Sequence, residues 1–426
     1  MFRLLPGLLV AAIFTLAGRA TAQCTPGVYR SGAQFVVLGA TDPAKPAAGQ
    51  RYTMLDGRRG SVADPDRLVR CVNDKAEVRQ ADESWLSMPR EATVETRSRF
   101  NSDGTPLSGE LIEPAGPPDP TRPLVVMVHG SEKTSAPSRT YGYYGYTLVG
   151  QGVSVFVYDK RGTGASEGEY TQNFELLADD AAAALREAQR LAKGRFARSG
   201  YYGGSQGGWV APLAATRSRA DFVAIGFGLV VSPIDEDLEQ MLQEADEQHL
   251  GTNEKSDIRR LSAATAAIVS SHFERGFDRL QALRRQIGAA PWAKKIDGEY
   301  SGEMLRISDA DLRRIGRARF DNLELIWDYD AKAALARLSV PLLWVLAGED
   351  REAPIEVTER MLRELRDRGQ EVDIYLFPQT DHGMVEFRTN PDGSRTATRI
   401  TQGYLQLIGD WIKGNTRPPY GRAQEL

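Results

Sequence analysis

Two apolar patterns alternate along much of the chain. Continuous apolar runs at 124–128 (LVVMV) and 153–158 (VSVFVY) are typical of strands that are covered on both faces of a sheet. Residues 174–193 instead repeat apolar side chains at helical spacing, which predicts an amphipathic helix. Because strands and helices follow one another in turn, the pattern predicts an α/β fold with a mostly parallel central sheet and helices on both of its faces.

The same alternation continues past the middle of the chain and returns near its end. The remaining predicted strands of the sheet are 200–202, 222–230, 341–347 and 372–377. The remaining predicted helices are 206–215, 355–368 and 400–413. These elements form two parts of one sheet domain, 96–231 and 334–426, which a long segment of different character separates.

Residues 232–333 and 23–95 do not share this alternation. The first of these segments is charged and helical, and we interpret it as a helical cap inserted into the sheet domain. A separate domain is the alternative, but the segment contains no predicted strand that would enclose a core of its own, so we favour a lid that leans on the sheet. Residues 23–95 carry short alternating runs among glycine, proline and charged residues, which predict a small β-rich amino-terminal region.

The first 22 residues have the pattern of a secretory signal peptide. One arginine precedes an apolar run from Leu4 to about Ala17, and the small-residue sequence Ala20-Thr21-Ala22 follows, with cleavage expected after Ala22. The apolar run is shorter than the roughly 20 residues that a bilayer span needs. We therefore expect an exported protein, periplasmic or extracellular, with no stable membrane span once the signal is removed.

The charges of the chain nearly balance. There are 53 basic and 57 acidic side chains, which give a formal net charge of -4 at pH 7. A protein that binds nucleic acid neutralises phosphates with an excess of basic residues. Nucleic acid is therefore not an expected partner.

The chain has two cysteines, Cys24 and Cys71, both in the amino-terminal region. Disulfides persist outside the cytosol, so export permits these cysteines to pair. A disulfide between them would close a loop of about 48 residues and stabilise the segment by roughly 3 to 4 kcal/mol in the chain-entropy model. Two free thiols are the alternative. Neither cysteine lies near a histidine cluster in sequence, so a metal site is not indicated.

Two serines match the pattern G-x-S-x-G, Ser205 in GGSQG and Ser166 in GASEG. Ser205 follows a predicted strand and precedes an amphipathic helix, and the glycines around it remove Cβ atoms that would clash in a sharp turn. Ser166 is followed by the polar stretch EGEYTQN, which is a poor start for a buried helix. The flanking sequence therefore favours Ser205 as a nucleophile.

A serine nucleophile needs a base, and four histidines are available. His249 and His272 fall in the helical insertion, and His129 lies at a strand end, where it is better suited to shaping a loop. His382 follows the last predicted strand, in a loop that can present a base over the carboxyl ends of the strands. His382 is therefore the predicted base.

The imidazole in turn needs a carboxylate that holds its tautomer. Asp350 and Glu349 directly follow the predicted strand 341–347, and only one of two adjacent residues can face the histidine. We favour Asp350 over Glu349. Asp381 is next to His382 in sequence and would have to fold back to reach its side chain.

The chain order Ser205, Asp350, His382 is that of the α/β-hydrolases. The stretches VVMVHGS, VYDKRGTGASEG, GGSQGGW, LAGEDREAP and TDHG together resemble that superfamily over residues 124–413. More narrowly, DKRGTGASEG, GSQGGWVAPLAA and SPIDEDLEQ resemble bacterial secreted serine carboxylesterases related to the prolyl-oligopeptidase-like branch. The resemblance implies an α/β-hydrolase fold and an oxyanion hole formed by the backbone N–H groups of Gln206 and Ser131.

These residues lead to the hypothesis of an exported serine hydrolase that cleaves small-molecule carboxylic esters through an acyl-enzyme. The reaction requires no cofactor and no metal. A peptidase or amidase with the same triad is the nearest alternative, and an acidic pair in the insertion that grips a free amino group would favour it. A thioesterase, a lactonase or a non-catalytic binding protein are further alternatives. The aromatic stretch 140–149 and the insertion are candidates to line the substrate pocket.

Overall fold

A computed structural model describes residues 24–41, 45–133, 135 and 141–426, with the side chains of 141–143 excepted. The predicted signal peptide, residues 1–22, lies outside the described residues. Among the helices that are described, none has the length and apolar character needed to cross a bilayer.

The amino-terminal region consists of two small antiparallel sheets, which confirms the predicted β-rich character. The strands of the first sheet are β1 (Gly27–Ser31), β2 (Gln34–Leu38), β3 (Arg51–Met54) and β4 (Arg59–Ser61). Those of the second are β5 (Val69–Val72), β6 (Lys75–Arg79) and β7 (Trp85–Met88). Apolar side chains of both sheets, including Tyr29 and Val69, share one buried cluster.

The remaining strands build the central sheet and a small carboxyl-terminal sheet. The first group is β8 (Thr93–Ser102), β9 (Thr105–Pro114), β10 (Leu124–Val128), β11 (Ser154–Tyr158), β12 (Ser199–Gly204), β13 (Phe222–Gly226), β14 (Leu342–Ala347) and β15 (Val372–Phe377). The central sheet also contains β19 (Gln424–Glu425), whereas the small sheet consists of β16 (Thr380–Asp381), β17 (Val385–Thr389) and β18 (Arg395–Ile400).

The central sheet has the order β19-β15-β14-β13-β12-β10-β11-β9-β8. The strands from β10 to β15 pair in parallel, while β8, β9 and β19 add antiparallel pairs at the two edges. The chain moves outward from β10 in both directions, so the sheet contains a point at which the strand order reverses. In open α/β sheets, ligands bind outside the carboxyl ends of the strands at such a point.

Helices cover both faces of the central sheet, as the alternation predicts. In chain order the helices are α1 (Tyr141–Val149), α2 (Phe174–Leu191), α3 (Gly207–Thr216), α4 (Pro233–Glu247), α5 (Thr252–Val269), α6 (Phe277–Ile287), α7 (Ser301–Arg306), α8 (Asp309–Phe320), α9 (Ala331–Ala336), α10 (Ile355–Asp367) and α11 (Tyr404–Ile412). Short 3₁₀ helices comprise Pro46–Ala48, Trp292–Lys294 and His382–Met384. Helices α2, α3, α9 and α10 pack on one face, and α1 and α11 pack on the other.

Alternate residues of each buried strand point to opposite faces, and β14 shows this clearly. Trp344 and Leu346 belong to the apolar cluster on one face of the sheet, whereas Leu343 and Val345 belong to the cluster on the other. A strand that is buried on both faces must be apolar at every position, which accounts for the unbroken apolar run in its sequence.

The segment between β13 and β14 contains helices α4 to α9, as expected of a helical insertion. These helices bury an apolar cluster of their own, built around residues such as Met241, Leu261 and Trp327. The expectation that this segment lacks a core because it lacks a strand was therefore wrong. Amphipathic helices at these lengths bury their apolar stripes against one another without a sheet.

Two element boundaries and one hairpin near the site also differ from prediction. Strand β13 ends at Gly226 instead of continuing to 230, because Phe227 adopts a positive φ of 43° and turns the chain out of the sheet. Helix α11 begins at Tyr404 instead of 400, because Ile400 belongs to β18. The hairpin of β17 and β18 was not predicted, since its exposed positions carry charged residues and threonines without a marked apolar alternation.

Cys24 and Cys71 form a disulfide that links the start of the described chain to β5, 47 residues later. Cys24 is buried in the cluster shared by the two amino-terminal sheets. The bond therefore joins the two sheets covalently as well as through their common core.

We expect the double variant Cys24→Ala/Cys71→Ala to be less stable than the wild type by about 3 to 4 kcal/mol, because its unfolded chain is no longer restrained by the loop. Urea unfolding of the variant and of the wild type, with and without reducing agent, measures the difference. Equal midpoints for all samples would show that the disulfide contributes nothing to stability.

Candidate active site

The residues singled out from the sequence lie at one edge of the central sheet. Ser205 directly follows β12, Asp350 follows β14, and His382 follows β15 and the short strand after it. Ser131 follows β10 in the same way. Since these strands are parallel, their carboxyl ends meet at one edge, and loops far apart in sequence become neighbours.

Ser205 occupies a sharp turn between β12 and α3. Its φ is 52°, in the left-handed region that a serine seldom adopts, and its backbone N–H donates to the carbonyl oxygen of Gly226 at 3.2 Å. The neighbouring glycines make this turn possible: a Cβ atom on Gly204 would lie 2.4 Å from the ring of Phe227. Strain of this kind is typical of functional positions and projects the side chain away from the sheet.

Asp350 and His382 are hydrogen-bonded to each other. The imidazole Nδ1 lies 3.1 Å from Oδ1 and 3.0 Å from Oδ2 of Asp350, which is 2 % exposed. The backbone N–H groups of Glu352 and Ala353 also donate to Oδ1, at 3.0 and 2.8 Å. The buried carboxylate is thus fully partnered, and its bond to Nδ1 leaves Nε2 directed away from it.

The surroundings of His382 change the pKa of its imidazole. Burial opposes protonation, but the hydrogen bond and charge of Asp350, together with the charges of Glu352 and Asp381, outweigh burial and raise the pKa above its ordinary value of 6.5. Glu352 lies closest to the other nitrogen, with Oε2 3.6 Å from Nε2. The ring of Phe227 packs edge-on against the imidazole at 5.0 Å and limits its rotation.

Glu349 and Asp381, which are also close in sequence to the pair, make no side-chain hydrogen bond to the imidazole among the described residues. Glu349 and Asp381 both pair with Arg395, at 3.2 and 2.7 Å. Asp381 also accepts the backbone N–H of His382 at 2.9 Å, so it holds the main chain of the loop. The preference for Asp350 over Glu349 agrees with this arrangement.

The second matching serine, Ser166, is buried in a turn. Its hydroxyl accepts the backbone N–H of Ser108 at 2.9 Å and donates to the carbonyl oxygen of Asp159 at 2.7 Å. A hydroxyl used in both ways within the fold is not free to attack a substrate. The sequence argument against Ser166 agrees with these bonds.

Two cavities of about 320 and 400 Å³ meet at Ser205 and His382, and both are also lined by Ser131 and Glu352. Ser205 and His382 make no direct hydrogen bond to each other within the described residues, although they share these walls. The larger cavity is mainly aromatic and apolar, with Tyr144 of α1 in its wall. The other aromatic residues that line it are Tyr202, Phe227 and Tyr404.

The smaller cavity is closed on one side by the helical insertion. Glu236, Glu299, Trp327 and Arg319 line it together with Ser205. Burial and the charges of neighbouring carboxylates, Glu299 foremost, raise the pKa of Glu236 well above its ordinary value. Sequence reasoning did not single out these acidic residues, because the insertion contains many carboxylates and the pattern does not show which of them face inward.

The backbone N–H groups of Gln206 and Ser131 are the predicted oxyanion donors. Gln206 directly precedes α3, whose amino end has no side-chain cap, and is therefore at the positive end of the helix dipole. The carbonyl oxygen of Ser131 accepts hydrogen bonds from Tyr170 and Gln172, which fix the loop after β10.

Lys160 and His129 are buried close to the carboxyl ends of β11 and β10. The Lys160 ammonium donates to the carbonyl oxygen of Gly130 at 2.7 Å and reaches Oε1 of Gln206 at 3.3 Å. Nε2 of His129 bonds the carbonyl oxygen of Tyr158 at 2.6 Å, and burial lowers its pKa to about 3, so it is neutral at pH 7. The sequence signal for Lys160 was a basic residue two positions after a buried strand, and sequence reasoning did not single it out.

Metal binding is not indicated at this edge. Among the residues that the structure describes, no three histidine, cysteine, aspartate or glutamate side chains gather in a way that could hold a metal ion.

Comparison with known proteins places the chain in a family. A family model described as "Alpha/beta hydrolase family" matches residues 125–393. No curated protein matches the sequence. The family match covers more than half of the chain and confirms the predicted α/β-hydrolase fold and superfamily resemblance.

Three solved structures illustrate the distance to known relatives. An esterase from Pyrococcus furiosus is 13 % identical, with a TM-score of 0.46 and coverage of 76 % of this chain and 91 % of that one. Carboxyl esterase 2 from Tuber melanosporum is 15 % identical, with a TM-score of 0.42 and coverage of 77 % and 87 %. An acylaminoacyl peptidase from Pyrococcus horikoshii is 15 % identical, with a TM-score of 0.42 and coverage of 85 % and 52 %. These structures are too distant to assign an activity.

The imidazoles of His382 and His129 should titrate at well-separated pH values. We expect the imidazole of His382 to titrate above pH 6.5, whereas that of His129 titrates at about pH 3. Glu352→Gln removes one negative charge beside Nε2 and should lower the pKa of His382 while leaving Asp350 in place. Histidine resonances followed by NMR across pH measure both groups. A midpoint for His382 below 6.5 would contradict the account of its surroundings.

Proposed function

Because this chain belongs to the alpha/beta hydrolase family, we propose that it is an exported serine hydrolase that cleaves carboxylic esters through an acyl-enzyme. The observation that carries this proposal is the meeting of Ser205 and His382 in one pair of cavities, with His382 bonded to a buried Asp350. A nucleophile, a base and the group that orients the base are the three parts that acyl transfer requires.

The first half of the reaction forms a bond between Ser205 and the acyl group. Ser205 Oγ attacks the ester carbonyl carbon, the π electrons move to the carbonyl oxygen, and the hydroxyl proton passes to Nε2 of His382. His382 then gives this proton to the leaving alcohol oxygen as the carbon–oxygen bond breaks, which leaves an acyl-enzyme. Serine and histidine need not be bonded in a free enzyme, because such bonds often tighten only with substrate bound.

The second half repeats these steps with water and releases the acid. In both halves the negative charge develops on the same carbonyl oxygen. We assign the backbone N–H groups of Gln206 and Ser131 as the donors to this oxygen, and one such donor is worth about 3 to 4 kcal/mol in the transition state. Asp350 keeps the proton of the neutral imidazole on Nδ1 and stabilises the imidazolium that forms.

The larger cavity suits an apolar acyl or alcohol group. Its wall is aromatic, through Tyr144, Tyr202, Phe227 and Tyr404, and it reaches Ser205 and His382. Burying an apolar substituent there gains about 25 cal/mol per Å² of surface removed from water. The helical insertion, residues 232–333, is the proposed lid, since it supplies one wall of the smaller cavity.

Export is part of the proposal. The first 22 residues have the composition of a signal peptide, and disulfides such as Cys24–Cys71 persist in oxidising compartments. The periplasm and the extracellular space both meet this condition.

A second candidate function is the hydrolysis of substrates with a free amino group, including aminoacyl esters and peptides. The observation that favours it is the acidic wall of the smaller cavity, where Glu236 and Glu299 line the same space as Ser205. Arg319 in the same wall pairs with Glu303. Burial and repulsion from neighbouring carboxylates, Glu299 foremost, oppose the ionisation of Glu236. An ammonium group bound in the smaller cavity would offset this repulsion and would itself be stabilised by the carboxylates.

We expect Asp350→Asn to lower kcat by about 10⁴-fold, because the amide holds the wrong imidazole tautomer. Glu349→Gln, a change of the adjacent acid that pairs with Arg395, should leave kcat within a few fold. Hydrolysis of a p-nitrophenyl ester by both variants measures the effect, and Ser205→Ala sets the background. A strong loss in Glu349→Gln with an active Asp350→Asn would reverse the assignment.

The acidic wall predicts a preference for substrates with a free amino group, which a matched pair of esters tests. If the second function holds, an alanine p-nitrophenyl ester should have a lower KM than its N-acetyl form, and Glu236→Gln should raise that KM about 10-fold, the usual value of one charge-assisted hydrogen bond. The N-acetyl ester serves as the control and should be unaffected. Equal KM values for both esters in the wild type would exclude the amino-group function and leave the simple esterase.

A further inference from the structure

Lys160 is a buried ammonium group that neither cavity contacts. Lys160 is 1 % exposed, and it does not line either of the two cavities that meet at Ser205. Burying an ammonium is costly unless it is well bonded, and here the partners are the carbonyl oxygens of Gly130 and Glu132, at 2.7 and 3.4 Å, and Oε1 of Gln206, at 3.3 Å. In this position Lys160 does not contact a substrate bound in these cavities, but it can act on the reaction through the groups that it bonds.

The bond to Gly130 fixes the direction of the next N–H group. The carbonyl of Gly130 and the N–H of Ser131 belong to one planar peptide unit and point in opposite directions. An ammonium that holds the carbonyl oxygen at 2.7 Å therefore directs the N–H of Ser131 the opposite way, and Ser131 lines both cavities. A charged donor on the carbonyl also polarises the amide and strengthens its N–H as a donor.

The bond to Gln206 connects the same ammonium to the other side of the site. Gln206 follows Ser205 in the turn before α3, and its side chain is buried with Oε1 3.3 Å from the Lys160 ammonium. The loop after β10 and the turn after β12 are thus tied to one atom that comes from the end of β11. Each of these two segments carries one of the backbone N–H groups assigned to the oxyanion hole.

The side chain of Lys160 stays protonated near neutral pH. Burial lowers the pKa of Lys160 to about 8, against the charge of Glu132, which raises it. The ring of Tyr170 lies 5.3 Å from the Nζ atom and favours the cation further. At pH 7 the group therefore carries a positive charge directly behind the place where negative charge is to develop.

We propose that Lys160 is a positioning residue that aligns the backbone N–H groups of Ser131 and Gln206 as one oxyanion hole. This inference rests on the proposed function, since it concerns the transition state of acyl transfer at Ser205. Lys160 acts through these two backbone groups and does not touch the substrate.

The test compares Lys160→Met with Lys133→Met in the mature protein, using a p-nitrophenyl ester. Lys133 is a matched control because its ammonium lies 5.1 Å from the same Tyr170 ring, yet its residue is exposed whereas Lys160 is buried. We expect Lys160→Met to lower kcat by about 10- to 100-fold with KM within about 2-fold, somewhat less than the 10²- to 10³-fold cost of losing one oxyanion donor outright. Lys133→Met should match the wild type.

A second readout separates positioning from a general loss of structure. A trifluoromethyl ketone forms a tetrahedral adduct with a serine nucleophile: the Oγ–C bond forms, the carbonyl oxygen becomes an oxyanion, and the proton passes to the histidine. Its inhibition constant should rise in Lys160→Met by about the same factor as kcat/KM falls, because both depend on the oxyanion hole. A loosened pocket would instead raise KM for the ester.

The possible outcomes distinguish a failure of the role proposed for Lys160 from a failure of the proposed esterase function. Unchanged kcat and ketone affinity in a folded Lys160→Met, or a rise in KM alone, would overturn the role of Lys160 while leaving the esterase proposal intact. Turnover that survives Ser205→Ala would overturn the proposed function itself. If Lys160→Met fails to fold, Gln206→Met removes the Oε1 contact but keeps the backbone N–H, and an unchanged kcat in that variant would equally overturn the inference.

Discussion

The parallel pairing of six strands, β10 to β15, is the constraint on which the site depends. Parallel strands end at the same edge of a sheet, so segments as distant as 131, 205, 350 and 382 become neighbours without any contact encoded locally. The pairing also demands apolar residues at every strand position, since helices cover both faces. The polar chemistry of the protein is thereby concentrated in the loops that leave this edge.

Two opposite electrostatic arrangements flank Ser205. Behind the loop after β10 lies the buried ammonium of Lys160, and across the smaller cavity lie the carboxylates of Glu236, Glu299 and Glu352. The positive side suits an oxyanion, and the negative side suits a cationic substituent or a protonated base. The pKa of the His382 imidazole is raised by the acidic residues, Asp350 above all. In the proposed reaction, the developing negative charge and the transferred proton therefore have surroundings of opposite charge.

Much of this arrangement could be predicted from the sequence because it depends on local patterns. The apolar runs predicted β10 and β15 at the positions observed, and the glycines around Ser205 predicted its sharp turn. The residue type and the preceding strand favoured His382 as the base and reduced the choice of acid to Asp350 or Glu349, with Asp350 preferred. The roles of these residues remain predictions, although their positions agree with them.

The parts that the sequence did not predict depend on contacts between distant segments. Lys160 has a role only because the loop after β10 and the turn after β12 converge on it. Glu236 and Glu299 are two of many carboxylates in the insertion, and only the packing of its helices shows that they line the cavity. The core of the insertion was missed for a related reason, since helices from 233 to 336 bury their apolar stripes against one another.

The central claim is that Ser205 is the nucleophile, and covalent labelling tests it most directly. The mature wild type, Ser205→Ala and Ser166→Ala would be treated with a fluorophosphonate, and the modified peptide would be identified by mass spectrometry. The account predicts one adduct on Ser205 in the wild type and in a folded Ser166→Ala, and none in Ser205→Ala. An adduct on another residue of the wild type, or labelling that survives Ser205→Ala, would contradict it.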